Sequence, residues 1–511
     1  MKKICRVFFS RYALSALAIV LQVAVMIYLF IFATSSRLYI SLASMLLSVV
    51  AFLSLVNRET NPEYKIPWSF IILTLTPAGA ILYFLFYKRK LTRKETKRLR
   101  CAVSRMRRRG LVSEECISLS RIDSQAAGKA NLILKDDALA DVYRGTGSRL
   151  FTTGEEFFES FVRDISEAKD YIFLEYFIIG EGELWSKIHS ILKTKAADGV
   201  DVRLLYDDFG CMKTLPSRYE RTLRKDGIQS YRFSRVSARV SSIHNNRDHR
   251  KICVIDGKYA YTGGVNIADE YANIISRFGY WKDGGIRIEG QAVLGFVKLF
   301  LSNWDLTVGC ISDYQRFVDT VSCAESPDGG FYIPYGSGPA PIYRTSVGKN
   351  VFMTLINQAE KYVYFTTPYL IIDYDLTEAL RSAAIRGVDV RIITPGIPDK
   401  KRVKIMTKSS YPKLIEAGVK IYEYIPGFVH EKTFICDDKY AVVGTINFDY
   451  RSFVHHFENA VLMYSTPTVE VALNDFKKTL TISDRVSFEH TSLSFVEWIF
   501  KIGMRIFAPL L

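Results

Sequence analysis

No C-x-x-C pair occurs among the eight cysteines of this 511-residue chain, which excludes a zinc knuckle and a thioredoxin-like redox motif. They lie scattered at Cys5, Cys101, Cys116, Cys211, Cys253, Cys310, Cys323 and Cys436. Cys253 and Cys436 fall inside apolar strand-like runs and read as buried free thiols in a reducing compartment. There is no H-E-x-x-H and no acidic cluster beside the motifs described below, so no metal and no cofactor are expected. Histidine is scarce, at seven residues. Acid is nearly missing from one stretch: Lys88–Arg109 holds twelve Lys or Arg and a single acid, Glu95. That collar supplies most of the formal net charge of +15, so the remainder is close to neutral. A nucleic-acid binder would carry its basic residues on the folded domain, and nucleic acid is not an expected partner. A basic collar directly after an apolar run fits anionic lipid headgroups, at about 1 kcal/mol per residue near the surface. It fits a solvated topology signal equally well.

Apolar residues concentrate before the collar, in the runs Ala13–Thr34, Leu38–Val56 and Ser69–Tyr87. The first has Gln22 as its one strongly polar member and is long enough to cross a hydrocarbon core about 30 Å thick. A signal peptide is not expected, because a second run follows almost at once. Residues 1–87 therefore read as a membrane anchor of two or three helices. Pro77-Ala78-Gly79 interrupts the third run and would make it re-entrant. The chain is expected in the cell membrane, multi-pass, with the body cytosolic because the collar outweighs Lys2, Lys3, Arg6 and Arg11.

Beyond the collar the chain repeats itself. AKDYIFLEYFIIG and AADGVDVRLLYDDFG in the first half match AEKYVYFTTPYLIID and AIRGVDVRIITPGIP in the second. Short apolar runs bounded by polar residues read as buried strands alternating with helices, an α/β sandwich in each half. The expected layout is a basic linker at 88–135, a first half at 136–324, a Gly/Pro/Ser-rich linker at 325–341 and a second half at 342–485. A C-terminal helix is expected at 486–511. There Phe495, Trp498, Ile499, Ile502 and Ile506 recur at helical spacing. Their stripe can lie in a membrane interface or pack on the body.

Each half carries one chemical motif. His249, Lys251 and Asp256 fit H-x-K-x4-D, with Asn266 ten residues after the Asp. His430, Lys432 and Asp437 fit the same pattern, with Asn447 at the same offset. In a strand, His and Lys two residues apart share a face, and an imidazole beside an ammonium suits a phosphate ester. Asp256-Gly257 and Asp437-Asp438 read as two-residue hairpin turns. These would return Gly264 opposite His249 and Thr445 opposite His430, leaving room for a phosphate. Asn266 and Asn447 are candidate phosphate donors. The odd offset of Asp256 and Asp437 leaves them open to a structural or a chemical role. His455-His456 reads as loop or surface.

The paired motifs resemble the HKD signature of the phospholipase D superfamily. RDHRKICVIDGKYAYTGGVNIADEY and the stretch Pro426–Phe453 are similar to the sequences of bacterial cardiolipin synthases. NPEYKIPW before the third apolar run and the terminal APLL are similar as well, so the resemblance covers essentially the whole chain. It implies two phospholipase D-like α/β sandwich halves forming a pseudo-dimer, preceded by an α-helical membrane anchor. It implies a catalytic set of His249, Lys251, Asp256, His430, Lys432 and Asp437, with Asn266 and Asn447 binding substrate. It also implies a downstream acid for each histidine: by position, Asp283 for His249 and Glu458 for His430. Two positions depart from the pattern. Lys282 stands where W-R-D has Arg, and Arg and Lys differ in geometry. Glu431 stands between His430 and Lys432 where H-A-K has Ala, on the opposite strand face.

The implied activity is that of a cardiolipin synthase. One phosphatidylglycerol gives its phosphatidyl group to a second through a phosphohistidine on His249, with His430 as acid and then base. Phosphatidylglycerol, other anionic phospholipids and the bilayer are the implied partners. A membrane phospholipase D that hydrolyses phospholipids, a nucleic-acid phosphodiesterase and a catalytically inactive scaffold are the alternatives.

Overall fold

The structure is a computed structural model that describes residues 37–58, 62–86, 114–137, 139–235, 246–325, 327–339, 343, 345–491 and 494–507. The apolar run Ala13–Thr34 and the collar Lys88–Arg109 lie outside these residues. The chain divides into two compact units. One comprises Met1–Lys90, Val236–Asn245 and Ile502–Leu511; the other comprises Leu91–Arg235 and Asn246–Lys501.

In the first unit, the helix Arg37–Val56 is, among the described residues, the one long and apolar enough to cross a membrane. Its side chains at Leu42, Met45, Leu46, Val49, Val50 and Leu53 are exposed. The third run is not a straight span. It forms parts of two helices, Pro62–Thr74 and Ala78–Phe86, of 13 and 9 residues, so neither crosses a bilayer at 1.5 Å per residue. The two pack closely at Gly79, where a Cβ would lie 1.9 Å from the Ile71 carbonyl oxygen. Trp68, Ile72, Ala80 and Tyr83 join Ala51 and Leu55 of the long helix in a small core.

The second unit holds two sheets of equivalent topology. In the first half the strands are β1 (Thr146–Phe151), β2 (Tyr171–Tyr176), β3 (Asp201–Asp207), β4 (Gln229–Phe233), β5 (Lys251–Ile255), β6 (Tyr259–Gly263), β7 (Tyr280–Lys282) and β8 (Gly285–Gly290). In the second half they are β9 (Phe331–Ser337), β10 (Tyr362–Thr366), β11 (Leu370–Ile371), β12 (Asp389–Pro395), β13 (Lys420–Tyr424), β14 (Gly427–Val429), β15 (Thr433–Cys436), β16 (Tyr440–Gly444), β17 (Phe448–Asp449), β18 (Glu458–Tyr464) and β19 (Ser483–Arg485). The sheet orders are β1-β8-β6-β5-β2-β3-β4 and β19-β13-β12-β10-β15-β16-β18-β9. β2 and β3 are parallel, as are β10 and β12, each pair joined through a helix. The expected buried strands are β2 and β10, buried at every residue. Strand β9 lies inside the segment expected as a linker and forms an edge of the second sheet. Its Pro334 disguises it in the sequence, because proline is tolerated at such an edge.

The helix Val293–Val308 is buried over most of its length. Its Phe296 and Phe300 join Ile252 and Val254 of the first sheet and Ile333, Tyr335 and Val461 of the second in one apolar core. Burial at about 25 cal/mol per Å² of apolar surface fuses the halves here.

Two short crossings stitch the halves above that core. β7 pairs in parallel with β14. On the other side, Asp248 bridges Phe457. These crossings are equivalent: the His249 amide donates to the Phe457 carbonyl and the His430 amide to the Lys282 carbonyl, both at 2.8 Å.

Candidate active site

The crossings decide which acid serves which histidine. Phe457 precedes Glu458, and Lys282 precedes Asp283. Each histidine is thus laid beside the acid of the other half. His249 Nδ1 lies 2.9 Å from Glu458 Oε2, and His430 Nδ1 lies 2.6 Å from Asp283 Oδ2. This reverses the expected assignment of Asp283 to His249 and Glu458 to His430. Sequence order misleads because the acid strands run to the partner histidine, which only the inter-half pairing reveals.

A carboxylate at Nδ1 fixes the proton there and leaves the lone pair on Nε2. Glu458 also accepts from the Thr445 hydroxyl, and Asp283 from the Gly284 amide at 2.9 Å. Both histidines and both acids are buried. His249 is held well below its ordinary pKa by burial, then by Lys251, Lys432 and His430. His430 is pushed down to about 4 by burial and Lys432, against the pull of Asp283. Burial opposes ionisation of Asp283, yet His430, Lys432 and the Gly284 amide outweigh it and hold the carboxyl below its ordinary value. The resting site therefore offers neutral imidazoles.

The lysines share the site with their histidines. Lys251 Nζ donates to the His249 carbonyl at 2.7 Å, and Lys432 Nζ donates to the His430 carbonyl. Burial depresses Lys251 to about 7 and Lys432 to about 8. Each lysine feels both acids, Asp283 and Glu458, so the two motifs form one electrostatic cluster.

The two asparagines differ. Asn266 accepts from the Ile178 amide at 3.0 Å and donates to the Tyr271 hydroxyl at 2.8 Å, leaving one N–H. Asn447 is buried, and its Oδ1 has no partner among the described residues.

Asp256 and Asp437 are elsewhere. Asp256 accepts from the backbone amides of Lys169, Asp170 and Tyr171 at 2.7–2.8 Å. Asp437 accepts from those of Glu360, Lys361 and Tyr362 at 2.8–2.9 Å. Both are left-handed turn residues, with φ of 51° and 54°. They anchor the hairpins to the start of the neighbouring strand, and the catalytic role that the resemblance implied for them is corrected to a structural one.

The hairpins themselves have three turn residues, since Ile255 pairs with Tyr259 and Cys436 with Tyr440. This shifts the expected register by one. Gly264 faces an acid instead of vacant space: a Cβ there would lie 2.0 Å from Asp283 Oδ1. Thr445, at the equivalent place, bonds Glu458.

His455 and His456 are buried, contrary to the loop or surface reading. The His456 ring lies 5.4 Å from that of His249, and its Nδ1 is 3.6 Å from Glu458 Oε1. His249, His456 and Glu458 place three possible ligand atoms within 4.8 Å of one another. Glu458 is already engaged by His249, however, and the field of Lys251 and Lys432 favours an anion over a dication. Around His430 the wall is aromatic, with Tyr271, Trp281 and Phe428 ring centroids at 5.4, 5.6 and 5.8 Å. The two departures from the family pattern meet: Lys282 Nζ lies 3.1 Å from Glu431 Oε2.

Residues 161–274 and 352–480 match the family model described as cardiolipin synthase, PLD-like domain, and residues 46–86 match a phospholipase D-nuclease N-terminal model. A cardiolipin synthase of Alkalihalophilus pseudofirmus is 36% identical over 366 residues, covering 71% of this chain and 72% of that protein. This chain belongs to the cardiolipin synthase family. An uncharacterized protein of Streptococcus mutans is 43% identical over 439 residues, 85% of this chain and 94% of that one. The crystal structure of a phosphatidylserine synthase from Haemophilus influenzae shares the fold at a TM-score of 0.56 and 16% identity, over 71% of this chain and 94% of that one. Cardiolipin synthase family membership thus accounts for both duplicated halves and for the apolar segment ahead of them.

Proposed function

We propose that this protein makes cardiolipin and glycerol from two molecules of phosphatidylglycerol. The observation that supports this most is the pair of buried imidazoles, each oriented by the other half's carboxylate, with two ammonium groups in the same cluster. His249 Nε2 attacks the phosphodiester phosphorus of the first lipid, and the bond to the leaving glycerol oxygen breaks. His430 supplies the proton that makes free glycerol. The phosphatidyl group is now on His249. His430 then accepts the proton of a primary hydroxyl on the second lipid, whose oxygen displaces His249 from phosphorus. One difficult displacement becomes two easier ones, with a single residue as acid and then base. Lys251, Lys432, Asn266 and Asn447 hold the non-bridging oxygens as charge builds.

His430 is neutral when the site is empty. A bound anionic phosphodiester favours protonation of the groups around it, and the substrate itself thereby prepares the acid. The apolar helix Arg37–Val56 favours a site held at the bilayer, where lipid alcohol is concentrated and water is not the default acceptor. The anchor is proposed to be multi-pass, with the body in the cytosol and the collar on anionic headgroups.

The test is incubation of the purified protein with phosphatidylglycerol in detergent. Cardiolipin plus glycerol is expected, and His249→Ala or His430→Ala abolishes both. Phosphatidic acid as the main product would make the protein a hydrolase; no product from the intact protein would sink the reading.

A further inference from the structure

Beneath each inter-half crossing lies a second pair of equivalent residues. Arg250 follows His249, and Glu431 follows His430. Phe457 and Lys282 each supply the carbonyl that takes a histidine amide. In the first pair the Arg250 guanidinium lies over the Phe457 ring, 5.8 Å from its centroid, and Nε donates to the Glu458 carbonyl at 3.2 Å. The acid of His249 is thus gripped through its backbone by a cation–π stack. In the second pair the equivalent contact is ionic.

Lys282 Nζ has three N–H donors and three acceptors. These are the Thr152 carbonyl at 2.7 Å, Glu431 Oε2 at 3.1 Å and Asp475 Oδ2 at 2.7 Å. Thr433 Oγ1 donates to the other Glu431 oxygen at 2.6 Å. Thr152 follows β1 of the first half, and Asp475 is on the helix Pro467–Thr481 of the second. One buried ammonium, on the residue before Asp283, therefore binds elements of both halves. Lys282 and Glu431 are 7% and 6% exposed, so neither is a solvated surface charge.

The geometry points to Lys282, acting through Glu431 and Asp475, as the positioning residue that keeps Asp283 in contact with His430. Lys282 precedes the acid, and its carbonyl already holds the His430 amide. Its side chain ties that short strand to Glu431, beyond β14, and to Asp475 on the helix Pro467–Thr481. The acid of His249 is held by the separate Arg250–Phe457 pair, so the alignment of Glu458 does not run through Lys282. This inference rests on the phosphatidyl-transfer reading for its kinetic consequence alone.

Three variants of the full-length protein test it: Lys282→Met, Lys282→Arg and the double variant Lys282→Met/Glu431→Gln. The first readout is independent of turnover. It is the Nδ1–H proton resonance of His430 and of His249, which a carboxylate partner moves far downfield, read by NMR of the histidine-labelled protein. In Lys282→Met the Glu431 and Asp475 carboxylates lose their shared cation, Asp283 loses its alignment, and the His430 resonance moves upfield while that of His249 stays close to its place. The second readout is cardiolipin formation from phosphatidylglycerol, with kcat down about tenfold or more and KM changed less. Lys282→Arg keeps the charge and restores both readouts, and the double variant is less impaired than Lys282→Met. A folded Lys282→Met with an unchanged His430 resonance overturns the inference, as does an equal shift of both histidines. A selective His430 shift in a protein that makes no cardiolipin even as wild type would leave the positioning role standing and remove the activity.

Discussion

At the residue scale, the crossed acids give the two steps of the proposed chemistry separate tests. A phosphatidyl ester of p-nitrophenol has a leaving group that needs no proton. With it, Glu458→Gln is expected to suppress phosphoenzyme formation on His249, whereas Asp283→Asn keeps the burst and stalls the following transfer. Rapid quench and trapping of labelled phosphohistidine distinguish the two. The lysines carry a second expectation. Lys251 and Lys432 sit at about 7 and about 8 in the empty site, and a bound phosphodiester raises both. Binding therefore takes up protons around pH 8, and affinity falls as pH rises above these values. Calorimetry of a non-hydrolysable lipid phosphodiester, in two buffers of different ionisation enthalpy, measures the uptake. Asp256 makes the opposite kind of prediction. Asp256→Ala strands three backbone amides and is expected to cost about 2–3 kcal/mol of stability. Turnover per folded molecule stays close to wild type in a thermal-unfolding and activity comparison.

At the element scale, the three-residue hairpins and the short crossings set the geometry. The β5–β6 hairpin delivers Gly264 against the Asp283 carboxylate, where no larger residue fits. Gly264→Ala is expected to push that acid off His430 and lower kcat about a hundredfold, the scale of an ångström-sized misplacement. Fold and thermal midpoint change little, because the displaced atoms are a carboxylate and not the sheet. The closeness of each Lys to its His was legible, since strand periodicity places alternate residues on one face. The Asp of each motif was legible only as ambiguous: its odd offset fits a turn, and the backbone amides it caps lie some 80 residues away in sequence. The buried His456 carried no readable signal, because H-H between an aromatic run and an acid fits a loop as well as a core.

At the scale of the whole molecule, each histidine proposed for catalysis takes its carboxylate partner from the half that does not contain it. Residues 136–324 or 325–485 expressed alone are therefore expected to form no phosphoenzyme, even where a half folds. Co-expression of the two segments restores turnover in proportion to the complex recovered, which co-purification with a tag on one half measures. The apolar core shared through Phe296 and Phe300 gives the association its driving force.

The sequence by itself determined the duplicated α/β architecture, the paired phosphate-handling motifs and an apolar amino-terminal segment, because hydrophobic periodicity and repeated spacing are local properties of the chain. Tertiary structure alone decided which carboxylate meets which imidazole, that Asp256 and Asp437 serve the hairpins, that Lys282 meets Glu431, and that the linker hides an edge strand. Those outcomes arise from pairings between residues far apart in sequence, and a linear pattern carries no information about which of two equivalent strands crosses to the other half.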